Sequence, residues 1–533
     1  MKTSATSPTK GTIGTMTSSL DDHGEQKPRE ECGVFAVWAP EEEVSKLTFY
    51  GLYALQHRGQ EACGMAVGDG RQTIVFKDLG LVNQVFDEQA LQSMRGKVAI
   101  GHTRYSTSGA TTWENAQPMF QSTGDGTGIA LAHNGNLVNT AELQRRAVQL
   151  GISTDETLDA CVSDTDLVTA LLAKLADEKS IEEASMELLP RIRGAYCFVM
   201  CDSDTIYAAR DPYGVRPLSL GRLERGWVVA SETCALDIVG ASFVRDIRPG
   251  EFITINESGV HSRKFSPEKP ARCVFEHVYL ARPDSFLDGQ SVNAARVNIG
   301  RILAEEHPAD GDIVIPVPES GTPSAVGYAQ ASGIPFAQGL TKNSYVGRTF
   351  IQPSQTIRQL GIRLKLNPLR EVIRDKRLVV VDDSIVRGNT QRALISMLRE
   401  AGAKEVHVRI SSPPVKWPCF YGIDFASPAE LIANSDDDEA TMLDGIRRAI
   451  GADTLGFVSQ EGMIKATGQA PNTLCCACFD GQYPIKLPAE NPLVKPLIGM
   501  PGTNVVMESD QDPNGDLLDL VDAPEPTVIQ HDS

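Results

Sequence analysis

The sequence predicts two folded units in succession: an α+β unit, and then an α/β unit built on a parallel sheet. From about 32 to 260, short apolar runs alternate with Gly-rich loops and a few helical stretches. After about 271, apolar runs are followed by a Gly-containing turn and a helical stretch, the order typical of parallel sheets. A length of 533 residues exceeds what one hydrophobic core organises, which agrees with two units.

The first unit is expected to begin at Cys32, because residues 1–31 are polar and contain no apolar run. A helix is predicted around Leu167–Leu175, where leucines share one face, with Ser163 or Asp164 as the cap at its start. Apolar runs predict strands at 32–37, 129–132 and 196–200.

The second unit contains the clearest alternation of strand and helix. Two apolar runs predict buried parallel strands, each followed by a helix: strands 313–317 and 378–381, helices 323–331 and 390–401. Ligands of such open sheets bind beyond the carboxyl ends of the strands. Residues 501–533 contain eight acidic residues and no Lys or Arg, so an acidic, largely disordered tail is predicted over 489–533.

The composition argues against several classes of protein. A net charge of −19 opposes binding to nucleic-acid phosphates. Residues 1–31 lack the apolar core of a signal peptide. The sequence contains no run of about 18 apolar residues, so no transmembrane helix is predicted. The eleven cysteines are scattered and odd in number, unlike a disulfide framework. We therefore expect a cytoplasmic protein without nucleic-acid or membrane partners, whose cysteines are free, catalytic or metal-bound.

Residues 379–390, VVVDDSIVRGNT, form the most specific local pattern. A buried strand ends in two acids, and a loop of small polar residues then opens a helix. Such a loop offers N–H groups, hydroxyls and the helix dipole to a phosphate, while the acids can reach hydroxyls or a metal. The pattern resembles the phosphoribosyl-diphosphate (PRPP) motif of type I phosphoribosyltransferases. That resemblance implies PRPP contacts from Asp382, Asp383, Ser384, Arg387, Gly388, Asn389 and Thr390.

Other segments are similar to further parts of the same family. The loop 318–323 corresponds to the loop that faces pyrophosphate, and 341–350 resembles the flap that closes over PRPP. Basic residues there would neutralise a departing pyrophosphate. The implied basic and flap contacts are Lys342, Tyr345, Arg348 and Lys365, with Arg363 adding charge. The resemblance also implies one Mg²⁺ per subunit, an ion that prefers oxygen ligands and substrate phosphates, near Ser320, Asp382 and Asp383.

Cys32 is a candidate nucleophile because of its position between a polar leader and an apolar strand-like run. Cleavage of the Glu31–Cys32 bond would make it the first residue of the chain. Its free α-amino group, with an ordinary pKa near 8, would then serve as the base for its own thiol. Residues 1–31 are therefore predicted to be a disordered propeptide.

Four motifs follow Cys32 in order: QHRGQE at 56–61, GHTRYSTSG at 101–109, HNGN at 133–136 and SDTD at 163–166. With Cys32, they resemble the glutaminase domain of N-terminal-nucleophile amidotransferases, an αββα fold, and the predicted domain covers 32–262. The resemblance implies that the Asn134 side chain and the Gly135 N–H form an oxyanion hole.

The same resemblance implies a glutamine pocket made by Arg58, Arg104 and Asp164. Arg104 would pair with the α-carboxylate of glutamine, where a planar guanidinium is useful. Asp164 would accept from the α-ammonium group, and Arg58 would help to order the nucleophile loop.

The pair Cys475 and Cys478 has Cys-x-x-Cys spacing, which leaves zinc, redox chemistry, a cluster and coincidence open. The resemblance to iron–sulfur glutamine PRPP amidotransferases adds Cys273 and Cys419 as matching ligand positions. It implies one structural [4Fe–4S] cluster per subunit, held by these four cysteines in a phosphoribosyltransferase domain over 263–488. Cys476 is then an extra thiol.

Together, the two halves over about 32–488 resemble the amidophosphoribosyltransferase family. The resemblance implies glycosyltransferase chemistry at the first committed step of de novo purine synthesis, with glutamine and PRPP as substrates. Ammonia released at Cys32 would pass through a closed passage and displace pyrophosphate from PRPP, giving 5-phosphoribosylamine. It also implies feedback inhibition by purine nucleotides and a homotetramer or homodimer.

Two alternatives fit the sequence less well. A glucosamine-phosphate synthase would carry sugar-isomerase domains and an asparagine synthetase an ATP-pyrophosphatase domain, and the motif at 382–390 argues against both. A PRPP-sensing transcription regulator would carry a DNA-binding domain in place of a glutaminase, and this acidic chain offers no basic patch.

Overall fold

The computed structural model describes residues 32–105, 111–124, 126–152, 163–343, 363–423, 428–435, 437–488, 494, 497–498, 500, 502–505 and 527–528. The propeptide predicted over 1–31 and the predicted PRPP contacts Tyr345 and Arg348 lie outside these ranges, as does most of the acidic segment 489–533.

Two seven-stranded antiparallel sheets form the centre of the first unit. Its strands are β1 Gly33–Trp38, β2 Ala62–Gly68, β3 Thr73–Leu79, β4 Val98–Arg104, β5 Met119–Gln121, β6 Ile129–Leu137, β7 Gly194–Cys201, β8 Ile206–Arg210, β9 Ser219–Leu223, β10 Gly226–Ala230, β11 Ser242–Asp246, β12 Glu251–Asn256 and β13 Gly259–Lys264. The sheet orders are β11-β9-β10-β1-β4-β2-β3 and β13-β12-β8-β7-β6-β5, and Thr527–Val528 adds a short strand beside β13.

Helices cover the outer faces of both sheets. They are α1 Val44–Ala54, α2 Val82–Val85, α3 Glu88–Ser93, α4 Thr140–Gln149, α5 Asp164–Leu175, α6 Ile181–Leu188 and α7 Thr233–Ile238, with a 3₁₀ turn at Leu189–Arg191. Alternation along β1 explains the layers, because successive side chains point to opposite faces. Val34 and Ala36 enter the core between the sheets, whereas Phe35 and Val37 pack with Leu52 of α1. With α4–α6 packed against the second sheet, the unit has the expected αββα architecture.

The second unit is built on a four-stranded parallel sheet of order β17-β20-β21-β22. Its strands are β14 Arg272–Cys273, β15 Phe286–Leu287, β16 Gln290–Ser291, β17 Ile313–Pro316, β18 Leu340–Lys342, β19 Leu366–Pro368, β20 Arg377–Asp382, β21 Glu405–Ile410, β22 Thr454–Phe457 and β23 Leu474–Cys475. Its helices are α8 Val292–Glu306, α9 Thr322–Ser332, α10 Arg370–Ile373, α11 Asn389–Glu400, α12 Glu439–Ile450, α13 Gln460–Thr467 and α14 Ala477–Asp480. A π-helical turn covers Glu276–Leu280, and 3₁₀ turns cover Pro428–Glu430 and Pro471–Thr473.

Helices lie on both faces of the parallel sheet. Val379 and Val381 pack with residues of α8, α9 and α13, whereas Leu378 and Val380 pack with residues of α11 and α12. A strand that is buried on both faces needs a nearly continuous apolar run, and β20 has one. The arrangement confirms the predicted α/β unit and places the end of β20, at Asp382, at the carboxyl edge of the sheet.

The predicted elements agree with the structure to within a few residues at most boundaries. The helices predicted at 323–331 and 390–401 are α9 and α11, each within one residue of its predicted ends. The side chain of Ser163 accepts a hydrogen bond from the N–H of Asp166 and so caps α5. Strand β13 continues to Lys264, two residues past the predicted domain boundary at 262. No helix within the described ranges is long and apolar enough to cross a membrane.

Candidate active sites

A cleft in the first unit contains most of the side chains expected to handle glutamine. It has about 320 Å³ of empty space, part of it open to solvent. Its lining residues come from both sheets and from the start of α5: Cys32, Arg104, Tyr105, Gln117, His133, Gly135, Ser163 and Asp164. The fold therefore brings together residues that are up to 132 positions apart in sequence (164 − 32).

Strand pairing places the candidate nucleophile beside Arg104. In the ladder between β1 and β4, Gly33 lies opposite Thr103, so Cys32, which directly precedes β1, lies near the end of β4. The Cys32 side chain is buried, with 8% of its surface exposed, and its Sγ lies 3.5 Å from the carbonyl oxygen of Tyr105. Cys32 and the Arg104 guanidinium thus belong to the same cleft, as a nucleophile and a carboxylate ligand require.

The side-chain amide of Asn134 has no hydrogen-bond partner among the described residues. Both its Nδ2 and its Oδ1 are buried, and the residue is fully inaccessible. Leaving a buried polar group unpaired costs about 1–3 kcal/mol, so an unpaired amide next in sequence to the cleft residue Gly135 indicates a place where a ligand supplies the partner. This is the property that an oxyanion hole needs.

Gly135 is restricted to glycine by its backbone and by its neighbours. Its φ is +143°, and an added Cβ would lie 2.1 Å from the carbonyl oxygen of Ala195. Because Gly135 has no side chain, its backbone itself lines the cleft. Gly135 therefore places its backbone in the cleft, next in sequence to the unpaired amide of Asn134.

Asp164 is the carboxylate of the cleft. Its Oδ2 accepts from the N–H of Leu137 at 3.2 Å and lies 3.6 Å from Nδ1 of His133, and its Oδ1 accepts from the N–H of Thr165 at 2.8 Å. Burial on its own would raise the pKa of Asp164, but His133 and these N–H donors outweigh burial and lower it. Asp164 is therefore ionised at neutral pH, as a ligand for an ammonium group must be.

Gln117 is a cleft residue that sequence reasoning missed. Its Oε1 accepts from the N–H of His133 at 2.8 Å, and its Nε2 donates to Oγ1 of Thr165 at 3.0 Å. The side chain thus joins β6 to the first turn of α5 and holds the two sides of the cleft together. No signal in the sequence distinguishes Gln117 from other glutamines, because a side-chain amide in a loop belongs to no catalytic motif and its hydrogen-bond partners depend on the fold.

The buried histidine of β4, His102, is neutral at neutral pH and is not among the lining residues of the cleft. Burial lowers the pKa of His102 to about 3, and its Nε2 lies 3.0 Å from the carbonyl oxygen of His133. A neutral imidazole in that position braces β4 against β6.

Arg58 lies behind the cleft and is not among its lining residues. Its Nε donates to the carbonyl oxygen of Cys32 at 3.2 Å. Its terminal nitrogens donate to Glu232 at 2.5 Å and to Glu276 at 2.7 Å, and all three side chains are buried. These contacts suit the ordering of the nucleophile loop, whereas a direct contact between Arg58 and bound glutamine would require the guanidinium to leave both carboxylates.

The second candidate site lies at the carboxyl end of β20. Asp382 Oδ1 accepts from the N–H of Asp383 at 2.9 Å, and its Oδ2 accepts from the side chain of Gln391. Asp383 Oδ1 accepts from the hydroxyl of Ser384 at 2.6 Å. All three predicted residues Asp382, Asp383 and Ser384 are buried at the edge of the sheet.

The loop from Asp383 to Gly388 leads into the N-terminus of α11. Gly388 has a φ of +76° and caps the helix, and Asn389 and Thr390 form its first turn. The first N–H groups of a helix lack partners within the helix and favour anions. Arg387 pairs instead with Glu430 across 3.1 Å, so its guanidinium is held at the side of this loop.

Two further segments approach the same edge. A Cβ on Gly321 would lie 2.5 Å from the carbonyl oxygen of Val381, so the loop containing Ser320 is packed closely against the end of β20. Lys342 ends β18, which pairs with β19, and its Nζ lies 3.6 Å from a carboxylate oxygen of Glu319. The N–H of Asn343 donates to the carbonyl oxygen of Lys365 at 2.9 Å, so the pairing of β18 with β19 extends to Asn343 and Lys365.

The oxygen atoms at this edge suit a magnesium ion that is bound mainly through substrate. No group of three His, Cys, Asp or Glu side chains in the described part of the chain lies close enough to hold a single metal ion. Mg²⁺ usually keeps several waters and binds through one or two carboxylates plus substrate phosphates. Asp382 and Asp383 provide two adjacent carboxylates, which fits that kind of site.

The four cysteines that match cluster positions share one hydrophobic core, in which Cys273, Cys475 and Cys478 are buried and Cys419 is partly buried. Cys273 and Cys475 lie opposite each other in the parallel pair β14–β23. Burial, followed by the charges of Cys273, Cys419 and Cys475, raises the pKa of Cys478. Buried thiols are costly to ionise. No three of these cysteines, within the part of the chain that the structure describes, lie close enough to hold a single metal ion.

Cys476 differs from these four. Burial raises its pKa to about 12, helped by Asp480 and opposed by a hydrogen bond with Gln460. Gln460 in turn donates to Asp480 at 2.8 Å, so the Cys476 side chain faces a polar pair on α13 and α14. Cys475, and not Cys476, is the residue paired with Cys273 in the β14–β23 ladder.

Comparison with known proteins identifies both units. Family models described as "Glutamine amidotransferase domain" and "Phosphoribosyl transferase domain" match residues 102–237 and 288–411. An amidophosphoribosyltransferase of Mycobacterium bovis is 66% identical over 488 residues, which are 92% of this chain and 93% of that protein.

Solved structures agree with this assignment. One described as the allosteric regulatory enzyme of purine biosynthesis is 45% identical, with a TM-score of 0.80 over 87% of this chain and 98% of that chain. Another, described as glutamine PRPP amidotransferase from B. subtilis complexed with ADP and GMP, is 45% identical, with a TM-score of 0.78 over 87% of this chain and 99% of that chain. Identity of this extent over most of each chain shows that this chain belongs to the amidophosphoribosyltransferase family.

Proposed function

We propose that the chain transfers the amide nitrogen of glutamine to C1 of PRPP, giving 5-phosphoribosylamine, glutamate and pyrophosphate at the start of purine synthesis. The observation that carries the proposal is one cleft lined by Cys32, Gly135 and Asp164, in a chain whose other unit ends a parallel strand at Asp382. A glutaminase site alone would release ammonia, and a PRPP site alone would need ammonia from outside. The two sites together account for one nitrogen transfer.

At the glutamine site, Arg104 binds the α-carboxylate and Asp164 the α-ammonium group. Removal of the segment 1–31 leaves Cys32 with a free α-amino group, which accepts the thiol proton as Sγ attacks the carboxamide carbon. The developing oxyanion accepts hydrogen bonds from Asn134 Nδ2 and the Gly135 N–H. The α-ammonium of Cys32 returns its proton to the leaving nitrogen, ammonia departs, and water then hydrolyses the thioester to glutamate.

At the PRPP site, Asp382 and Asp383 face the ribose hydroxyls and the phosphates. The N-terminus of α11, with Asn389 and Thr390, holds the 5-phosphate through N–H and hydroxyl donors. Lys342, Lys365 and the flap residues Tyr345 and Arg348 cover the pyrophosphate and exclude water. One Mg²⁺ beside Ser320, Asp382 and Asp383 neutralises charge on the departing pyrophosphate when it is bound.

Ammonia must reach the second site unprotonated, because ammonium has no lone pair with which to attack C1. We therefore assign a closed, water-excluding passage to the boundary between a glutaminase domain over 32–262 and a phosphoribosyltransferase domain over 263–488. The nitrogen attacks C1 from the face opposite to the pyrophosphate, loses a proton, and leaves phosphoribosylamine.

Cys273, Cys419, Cys475 and Cys478 would hold a [4Fe–4S] cluster, which would supply structural cross-links. It would join β14, β23 and α14 to the segment before residue 424. Purine nucleotides are the proposed inhibitors, since the B. subtilis relative is described as complexed with ADP and GMP. We further propose a cytoplasmic homotetramer or homodimer.

Two variants separate the half-reactions. Cys32→Ser should lose phosphoribosylamine synthesis from glutamine and keep synthesis from high ammonium, because only the glutamine site is damaged. Asp382→Asn should impair both routes at least about tenfold, a loss of ~1.4 kcal/mol of transition-state stabilisation. The control for Asp382→Asn is Asp310→Asn, which should keep both routes. Asp310 is exposed and pairs with Arg377 at the opposite end of β20. Equal loss of both routes in Cys32→Ser would contradict the proposal.

A further inference from the structure

The oxyanion strand of the glutamine site is in direct contact with the second unit. The side chain of Asn136, next to Gly135 on β6, donates through Nδ2 to the carbonyl oxygen of Phe420 at 3.0 Å. A Cβ on Gly422 would lie 3.4 Å from both the Cα and the carbonyl carbon of Gly135. The segment 420–422, called the contact segment below, therefore packs against the backbone that supplies the oxyanion hole.

Arg216 is a second residue of the first unit that binds the contact segment. Its Nε and Nη2 both donate to the carbonyl oxygen of Tyr421, at 3.1 and 2.9 Å. Its Nη1 donates to Glu276 at 3.4 Å, and Glu276 also binds Arg58, which holds the carbonyl of Cys32. One buried network thus runs from the contact segment to the nucleophile.

The contact segment is also anchored within the second unit. The hydroxyl of Tyr421 donates to the carbonyl oxygen of Ile485 at 2.9 Å and accepts from the Ile485 N–H at 3.1 Å. The N–H of Tyr421 donates to Sγ of Cys419 at 3.4 Å. Because these contacts fix Tyr421 to the second unit, contacts with Asn136 and Arg216 transmit that fixed position to β6.

We propose that Asn136 and Arg216 are positioning residues that clamp the contact segment onto β6, so that the second unit fixes the Gly135 backbone in the oxyanion hole. This inference rests on the glutamine reaction proposed above. An oxyanion donor acts on the transition state more than on bound substrate, so a small displacement of Gly135 lowers kcat and leaves KM nearly unchanged. The glutamine site is then complete only when both units are docked.

The test compares Asn136→Ala with Asn139→Ala in the full-length protein. Asn139 is a buried asparagine just after β6, and its side chain binds the carbonyl oxygen of Arg191 and the N–H of Arg193 within the first unit. Its loss should therefore destabilise the first unit without changing a contact with the contact segment. Asn136→Ala should lower kcat for glutamate release about tenfold or more, with KM for glutamine within about threefold and synthesis from ammonium within about twofold. Asn139→Ala should lower the melting temperature and leave the kcat of the folded protein near that of the wild type.

Comparing the affinities of two ligands separates an effect on the oxyanion hole from a loss of folded protein, which would lower the binding of both ligands. Glutamate γ-semialdehyde adds to a cysteine thiol and gives a tetrahedral adduct whose oxygen occupies the oxyanion hole, whereas glutamate occupies the pocket without that adduct. Asn136→Ala should weaken binding of the aldehyde by the same factor as kcat and leave the binding of glutamate unchanged.

If Asn136→Ala does not fold, Arg216→Lys gives the same comparison. Lysine keeps a positive charge beside Glu276 but cannot donate two hydrogen bonds to the carbonyl oxygen of Tyr421, as Nε and Nη2 of Arg216 do. Unchanged glutaminase kcat in the folded variant, or equal losses for glutamine and ammonium, would overturn the inference. Failure of the proposed function is distinct from both outcomes, because wild-type protein would then neither bind the aldehyde at Cys32 nor use glutamine.

Discussion

The guanidinium of Arg58 donates to the carboxylate of Glu276 at 2.7 Å and joins the two units inside the protein. Both side chains are almost fully buried, and the same guanidinium reaches Glu232 at 2.5 Å. Removing one partner of a buried ion pair leaves an uncompensated charge, which costs far more than an exposed pair contributes. The pair therefore supports both the docking of the units and the position of Cys32.

Arg58→Met should lower the free energy of unfolding by about 3–5 kcal/mol, because Glu232 and Glu276 lose a shared cation. Arg225→Met is the matched control, since Arg225 forms an exposed pair with Glu41 and should change stability by no more than about 0.5 kcal/mol. Urea and thermal unfolding of the two variants measure the difference. Equal, small losses in both would show that the buried network does not stabilise the docked units.

Stability should fall in acid as Glu232 is protonated. Burial on its own would raise the pKa of Glu232, but the charges of His57 and Arg58 outweigh burial and lower it. A lowered pKa in the folded state contributes stability above the unfolded pKa, near 4.3, and that contribution is lost as pH falls. Unfolding free energy of the wild type should therefore decrease from about pH 5 downward, and Glu232→Gln should flatten that slope relative to the exposed control Glu41→Gln. If Glu232→Gln left the pH dependence of the unfolding free energy unchanged, protonation of Glu232 would not be a cause of the loss of stability in acid.

Asp164→Asn should weaken glutamine binding specifically. A hydrogen bond to a charged group contributes about 1.5–3 kcal/mol, so KM for glutamine should rise roughly ten- to hundredfold while synthesis from ammonium is kept. Asp166→Asn, two residues further along the same first turn of α5, is the control and should leave KM within about twofold. Steady-state kinetics with each nitrogen donor decide the matter, and a KM unchanged by Asp164→Asn would exclude its contact with the α-ammonium.

The middle thiol of the C-terminal triplet should be dispensable for metal binding. Cys476→Ser should keep the iron and sulfide content of anaerobically purified protein, because its side chain faces Gln460 and Asp480. Cys478→Ser should lose both, together with the visible absorbance of an iron–sulfur chromophore. Metal loss in Cys476→Ser, or iron-free wild-type protein, would contradict the proposed ligand set.

Local patterns predicted the parts of the sites that are continuous in sequence. The acids and the helix start of 382–390 were predictable because one strand, one loop and one helix carry them in order. Ser163 was predictable as the cap of α5 because capping depends on neighbouring residues.

Contacts between distant segments were not predictable in this way. Gln117 meets Thr165 across 48 positions, Arg58 meets Glu276 across 218, and Asn136 meets Phe420 across 284. No local sequence pattern around these residues predicts their partners, because tertiary packing decides which groups an amide or a buried charge contacts. The partners of Arg58, Glu232 and Glu276, and the contact of the second unit with Gly135 emerged only from the folded chain.

Transfer of nitrogen within one enzyme molecule tests the central claim most directly. Glutamine labelled with ¹⁵N in its amide and PRPP labelled with ¹³C at C1 are incubated with the enzyme and Mg²⁺, with unlabelled ammonium present below the level that supports synthesis. The account predicts phosphoribosylamine with a direct ¹³C–¹⁵N coupling in NMR and one glutamate formed per pyrophosphate, both absent in Cys32→Ser. Product without that coupling, or glutamate release unconnected to pyrophosphate release, would contradict it.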